Sequence, residues 1–275
     1  MQNLIILSFF LLLVLGACGK PPDAGTAVVV AEHEVGTPLS IEILDPEGME
    51  IIDPDAEVEV MASGYTWTEG PLWVEDGNFL LFSDIPKNRV CKLEESGDTS
   101  TYLQPSGGTV VGDFNNEPGS NGLLLSPEGE LVLMQHGDRQ VARMDAPLSA
   151  PEEKYVALTS AYQGKRFNSP NDGAFDANGN LYFTDPPYGL PGQMSNPEKE
   201  LSYQGVYCLR SSGEVVLLDS LTRPNGIALS PDNAHLYVAV SDPAHAVWYQ
   251  YDIAEAGLVK NKRIFYDQTH LVEQP

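Results

Sequence analysis

One short phrase recurs four times in this chain, and its rhythm limits what the chain can fold into. The phrase reads EGPLWVEDG from Glu69, NGLLLSPEG from Asn121, NDGAFDANG from Asn171 and NGIALSPDN from Asn225. The starting residues are 52, 50 and 54 positions apart (121−69, 171−121 and 225−171). A period near fifty built from short apolar runs and turn residues is the signature of a circular β-array, a propeller. Each phrase begins with an oxygen-bearing side chain, so the ring would gather Glu69, Asn121, Asn171 and Asn225 at one end of its axis.

Each repeat parses into four strands. In the second they are Asn121 to Ser126, Leu131 to Gln135, Gln140 to Asp145 and Lys154 to Thr159. In the fourth they are Gly226 to Leu229, Leu236 to Val240, Val247 to Tyr251 and Arg263 to Tyr266. Pro-Glu-Gly, Ala-Asn-Gly and Pro-Asp-Asn supply the turns, proline by fixing φ and Gly or Asn by tolerating positive φ. With 21 prolines and 25 glycines spread along the chain, no helical period survives, and an all-β fold is expected. One further period after Asn225 falls at about residue 277, just past Pro275. Because an open arc exposes raw sheet edges, the four blades are expected to be part of a larger ring that is truncated at its C-terminal side.

The segments before the repeats differ in character. Met1 to Ala17 is apolar from Leu4 to Leu15 apart from Ser8, too short to span a bilayer and suited to an export signal. Leu15-Gly16-Ala17-Cys18 resembles a bacterial lipobox, which makes Cys18 a candidate lipidation site and residues 1–18 a lipoprotein signal peptide. The alternative is a plain signal peptide cut after Ala17. Residues 19–56 read as a tether and lead-in segment, with Ile41 to Leu44 and Glu57 to Met61 as candidate strands, and residues 57–275 as the propeller domain. The expected location is outside the cytoplasm, anchored to a bacterial membrane on its periplasmic or cell-surface side. Acidic residues outnumber basic ones 39 to 15, a net charge of −24, which argues against nucleic acid as a partner. Cys91 and Cys208 fall on third strands two blades apart, too far for a disulfide, and the cysteine spacing matches no zinc site.

The innermost strand of a blade starts at one mouth of the central channel, so the four repeated oxygens are expected to share an axial site. One carboxylate with amide oxygens suits Ca²⁺ or another hard divalent cation; taken singly, each Asn-Gly phrase is an ordinary turn former. Asp84, His136, Asp185 and Asp242 end the second strands. Those strands run antiparallel to the first, which is expected to carry the four residues to the opposite mouth, with Asp84 and Asp242 as turn residues. His136 is open between general base, supporting partner and loop residue. Asp172, beside a candidate ligand, is open between base, ion ligand and strand cap. Arg166 and Lys165 are candidate anchors for an anionic or polyol substrate, and Trp67 is expected at the pocket wall. The long loops Ser106 to Gly119, Ser160 to Ser169 and Tyr188 to Gln204 are candidates for its roof.

The phrases WTEGPLW, GSNGLLLSPEGELVLMQHGDRQVARM, GKRFNSPNDGAF, YFTDPPYG, GVYCL and RPNGIALSPD, spread from Tyr65 to Asp267, resemble the family of senescence marker protein (regucalcin), gluconolactonase and luciferin-regenerating enzyme, its bacterial gluconolactonase branch above all. That resemblance implies a six-bladed propeller, here with about four blades, around one divalent ion. It implies metal ligands at Glu69, Asn171 and Asn225, with Asn171 and Asn225 also facing substrate. The family's further aspartate ligand lies in a PDG motif, and no PDG occurs in this chain. Its arginine two residues before the third-repeat asparagine is replaced by Ser169, with Arg166 the nearest substitute. The implied activity is calcium-dependent hydrolysis of sugar lactones such as glucono-1,5-lactone. Asp172 and His136 are then candidate catalytic groups, and Asn121, Asn171, Arg166 and Trp67 candidate substrate contacts. Two rival readings use the same scaffold: an esterase of the paraoxonase or strictosidine-synthase-like type, and a non-catalytic cell-surface binding propeller.

Overall fold

A computed structural model of the chain describes residues 41, 43, 46–53, 55–109 and 117–271. Cys18 and the rest of the expected signal peptide lie outside the described residues. These divide into two compact units, one ending at Gly64 and the other beginning at Tyr65. In the first, Pro46–Glu50 form a short 3-10 turn. Glu57 to Met61, expected as a strand, is not one. Its apolar members Val58, Val60 and Met61 are exposed, and an extended run gains nothing from a strand conformation without a partner edge.

The second unit holds four antiparallel four-stranded sheets, one per repeat, arranged as the blades of a β-propeller. The first blade is β1 (Thr68–Val74), β2 (Phe79–Asp84), β3 (Arg89–Glu94) and β4 (Thr99–Leu103); the second is β5 (Ser120–Leu125), β6 (Leu131–Gln135), β7 (Gln140–Met144) and β8 (Tyr155–Thr159). A small ribbon, β9 (Ala161–Tyr162) and β10 (Lys165–Arg166), stands where an irregular loop was expected. The third blade is β11 (Gly173–Phe175), β12 (Leu181–Asp185), β13 (Gln204–Leu209) and β14 (Val215–Leu221), and the fourth β15 (Pro224–Leu229), β16 (His235–Val240), β17 (Val247–Ile253) and β18 (Val259–Asp267).

Strand alternation explains the packing. On β6, Leu131 and Leu133 join Leu81, Val90 and Leu103 in a core between blades one and two. The intervening Val132 and Met134 join Leu181, Phe183 and Tyr207 between blades two and three. On β12, Tyr182 points the other way, into a core with Ile227, Leu236 and Val238 of blade four. A middle blade is thus buried on both faces, and each of these side chains contributes about 1.5–3 kcal/mol by leaving water. Cys91 and Cys208 are buried on β3 and β13 and are not bridged.

The register corrects one expectation. Thr68 pairs with Asp84, Ser120 with Gln135, and Gly173 with Phe183. In an antiparallel hairpin the end of the second strand lies beside the start of the first, so Asp84, His136 and Asp185 sit at the same mouth as Glu69, Asn121 and Asn171. Asp84 is no turn residue either. It is fully buried, its Oδ1 accepts from the backbone of Thr66 and Trp67 at 3.1 and 3.3 Å, and Arg89 donates to its Oδ2 at 2.9 Å. Asp242 does shape a turn, accepting from Ala244 N at 3.1 Å.

Asp185 repeats the Asp84 device in blade three. Its Oδ2 and Oδ1 accept from Asn168 N and Ser169 N, each at 2.8 Å, fixing the segment that leads into Asn171. Burial pushes its pKa up to about 7 against the pull of those donors. Asp185→Ala strands both amides and is expected to cost about 2–4 kcal/mol, measured by urea unfolding; an unchanged midpoint would remove the carboxylate from the fold's supports.

Candidate active site

The starts of the innermost strands meet closely. Gly122 N, on β5, donates to Asn171 O at 2.8 Å. Thr184 Oγ1 donates to Asn225 O at 2.6 Å, and Ser83 Oγ to Asn121 O at 2.9 Å. These bonds hold the backbones of the three asparagines and leave their amides to the mouth. Asn121 is 7% exposed and Asn171 2%, and neither amide makes a hydrogen bond among the described residues. Both amide groups still reach the mouth, where they are available to a ligand. Asn225 Nδ2 contacts Ser241 Oγ at 3.3 Å.

Glu69 stands beside them on β1, half-buried. Burial raises its pKa, partly offset by the Trp67 indole N–H, which donates to Oε1 at 3.0 Å. Trp67 itself is largely exposed, a flap over Glu69 more than a wall. Two more carboxylates feel the charge of Glu69. Burial first, and then Glu69, lift Glu117 to about 7. Burial lifts Asp172 to about 6, with Glu69 a smaller contribution. A carboxylate whose charge raises the pKa of two other buried acids marks a place of unbalanced negative potential, where a cation is welcome.

Asp172 settles toward the strand-cap option. Its Oδ1 accepts from Gly173 N at 2.8 Å and its Oδ2 from Ile227 N at 3.0 Å, so it ties blade three to blade four. His136 is fully buried just after β6, and neither ring nitrogen has hydrogen-bond geometry to a partner. Nδ1 lies 3.6 Å from Glu117 Oε2. Burial lowers its pKa to about 3 despite the nearby Glu117 carbonyl, so the ring is neutral. Arg166 lies apart from this set, exposed on the β9–β10 ribbon with its backbone N–H on Glu200 Oε2 at 2.7 Å.

Glu117, Tyr188 and Ser241 were not singled out from the sequence. The Tyr188 hydroxyl is hydrogen-bonded to Ser241 Oγ, which continues the chain of polar groups to Asn225. The next residue, Gly189, packs so closely on the histidine that a Cβ there would meet His136 Cβ at 2.6 Å. Two of the three long loops therefore converge over His136. The only available signal was their length.

No three His, Cys, Asp or Glu side chains group as a metal site among the described residues. The side chains that lead the innermost strands, one carboxylate and three amides, offer oxygen donors, a set that fits a hard cation and not zinc.

A family model described as the SMP-30/Gluconolactonase/LRE-like region matches residues 67–275. A gluconolactonase of Zymomonas mobilis subsp. mobilis is 42% identical over 218 residues, covering 78% of this chain and 60% of its own length. The structure of a gluconolactonase from Xanthomonas campestris is 31% identical, covers 74% of this chain and 64% of its own, and superposes with a TM-score of 0.63. A calcium-binding protein, regucalcin, from Agrobacterium tumefaciens covers 75% of this chain and 61% of its own at 15% identity and a TM-score of 0.55, a likeness of fold alone. The chain spans about 60% of the length of the Zymomonas relative.

Proposed function

The chain belongs to the SMP-30/gluconolactonase/LRE-like family, and from that premise we propose that it is a lactone hydrolase acting on sugar lactones such as glucono-1,5-lactone, with Ca²⁺ or another divalent cation as cofactor. The observation that carries this reading is the pair of nearly buried, unbonded amides of Asn121 and Asn171 beside half-buried Glu69. A gluconolactonase relative at 42% identity supports the substrate class.

Glu69, Asn171 and Asn225 would hold the ion. When bound, such a cation supplies Lewis-acid polarisation of the ester carbonyl. The chain's own residues do the rest. Asn121 and the Tyr188–Ser241 pair orient the lactone at the mouth, and Trp67 holds Glu69 in place. Asp172, through Ile227 N, keeps the start of β15 and hence Asn225 in position. Attack of water on the carbonyl releases a proton, and a carboxylate at this mouth is its acceptor.

Removing divalent ions with EDTA is expected to abolish hydrolysis of glucono-1,5-lactone, followed by acid release, and added Ca²⁺ to restore it. Hydrolysis that persists unchanged in EDTA would end the metal-dependent reading.

A further inference from the structure

The turn between β6 and β7 carries an arginine in a backbone conformation that few side chains adopt. Arg139 has φ of +57°, a left-handed value that glycine takes freely and an L side chain takes at a cost. It is also buried, and both groups that accept from it are carbonyls. Nε donates to Phe167 O at 2.6 Å and Nη1 to Glu198 O at 3.3 Å. A strained and buried cation points to a task for the side chain.

The first acceptor belongs to a peptide group gripped at both poles. Phe167 C=O and Asn168 N–H are the two ends of one peptide unit, and Asp185 Oδ2 accepts from that N–H at 2.8 Å. The guanidinium of blade two and the carboxylate of blade three thus pair through a single peptide, along its dipole. Burial raises the pKa of the carboxyl and lowers that of the guanidinium, and the attraction between the two opposes both shifts. Three residues beyond Asn168 stands Asn171, whose N–H is fixed to Thr184 O at 2.9 Å.

The second acceptor lies in the long loop between β12 and β13. The near end of that loop is tied to the same segment, since Ser169 Oγ donates to Pro186 O at 2.6 Å and accepts from Gly189 N at 2.9 Å. At its far end Leu201 joins the core between blades two and three, and Asn168 Nδ2 donates to Tyr203 O at 3.0 Å. Residues 191–200 between these anchors contain no strand, and Arg139 reaches their backbone from blade two. Tyr188, on the near end, is hydrogen-bonded to Ser241 Oγ at the mouth.

Resting on the lactonase reading for its substrate, we propose that Arg139 is a positioning residue of the mouth. It clamps the segment that delivers Asn171 to the loop that carries Tyr188, and the spacing of those two groups sets the affinity for the lactone. Arg139 touches no substrate; it acts through the Phe167–Asn168 peptide on one side and Glu198 O on the other. The planar fork of a guanidinium is needed to hold two carbonyls in fixed directions, which the point charge of a lysine does not do.

Arg139→Gly is the informative variant, because glycine accepts the positive φ and leaves the turn intact. It is expected to raise KM for glucono-1,5-lactone roughly tenfold while kcat changes by about threefold at most. Arg139→Lys should raise KM by a comparable factor although the charge is kept. Methylguanidinium at millimolar concentration should restore the KM of Arg139→Gly, and methylammonium should not. Independently of activity, glutamyl endopeptidase should cut Arg139→Gly after Glu198 or Glu200 at least about tenfold faster than the unaltered protein. An unchanged KM, or a loss in kcat at constant KM, would overturn the proposal. A raised KM without faster cleavage would make Arg139 a substrate contact and overturn it too. So would a raised KM that follows lost thermal stability and resists methylguanidinium, which would leave Arg139 a support of the fold. If the unaltered protein hydrolyses no lactone, the lactonase reading falls; faster cleavage of Arg139→Gly then still upholds the clamp, and unchanged cleavage removes it.

Discussion

Glu69→Gln is expected to weaken divalent-cation binding by roughly a hundredfold or more, since it removes the one charged ligand from a set otherwise made of neutral amides. Calorimetric titration with Ca²⁺ measures it directly, and an unchanged affinity would place the ion elsewhere. The same substitution should leave the ion-free protein no less stable. Burial raises the Glu69 pKa, and its charge helps to raise Glu117 to about 7 and Asp172 to about 6. A raised folded-state pKa means that the folded protein holds the proton more tightly than the unfolded chain. The stabilisation is complete below the unfolded value and lost as pH rises through the folded one. For Glu117 that window runs from an ordinary 4.5 to about 7. The ion-free protein should therefore lose stability across this range, and Glu69→Gln should flatten the loss. Bound cation neutralises the same charges, so the wild type alone should gain melting temperature with Ca²⁺. A Glu69→Gln protein that still gains it would contradict the assignment.

The repeat was legible because its signal is local. Turn chemistry and alternation over about fifty residues place every strand of blades two and four to within a few positions, and the four oxygens lead the innermost strands as their spacing requires. The second strands were rightly read as antiparallel, but the end of such a strand returns to the mouth where the first begins, and missing that consequence sent Asp84, His136 and Asp185 to the wrong mouth. Their partners could not be read from sequence. Asp185 caps the amides of Asn168 and Ser169, seventeen and sixteen residues earlier, a relation set by how the end of a blade's second strand folds back beside the segment that leads into its first. Glu117 escaped notice for the same reason. It sits in no repeated phrase, and only the packing of two loops around His136 brings it near Glu69. Asp172 shows the converse: its place beside Asn171 could be read from the sequence, but not that both of its oxygens serve the joint between β11 and β15.

That joint principle makes Gly70 the most sensitive position in the repeat. It follows Glu69 directly, has φ of +58°, and a Cβ built on it would lie 2.2 Å from the backbone oxygen of Asn121 in the next blade. The neighbour is backbone, held in turn by Ser83 Oγ, so it cannot swing aside. Gly70→Ala is expected to destabilise the protein by more than about 3 kcal/mol, combining left-handed strain with a forced separation of β1 from β5. For a domain of this size the melting temperature should drop by roughly 6–12 °C. Gly129→Ala isolates the first contribution: it also has positive φ, +80°, but nothing lies within 4 Å of its Cβ. Strain alone should cost it about 1–2 kcal/mol, and its cation affinity should match that of the unaltered protein. Gly70→Ala should lose affinity as well, because Glu69 must travel with the displaced strand. Equal losses of stability in the two variants would mean that the blades slide past one another freely at their inner edge. The convergence of Glu69 with Asn121 and Asn171 would then not be enforced by packing.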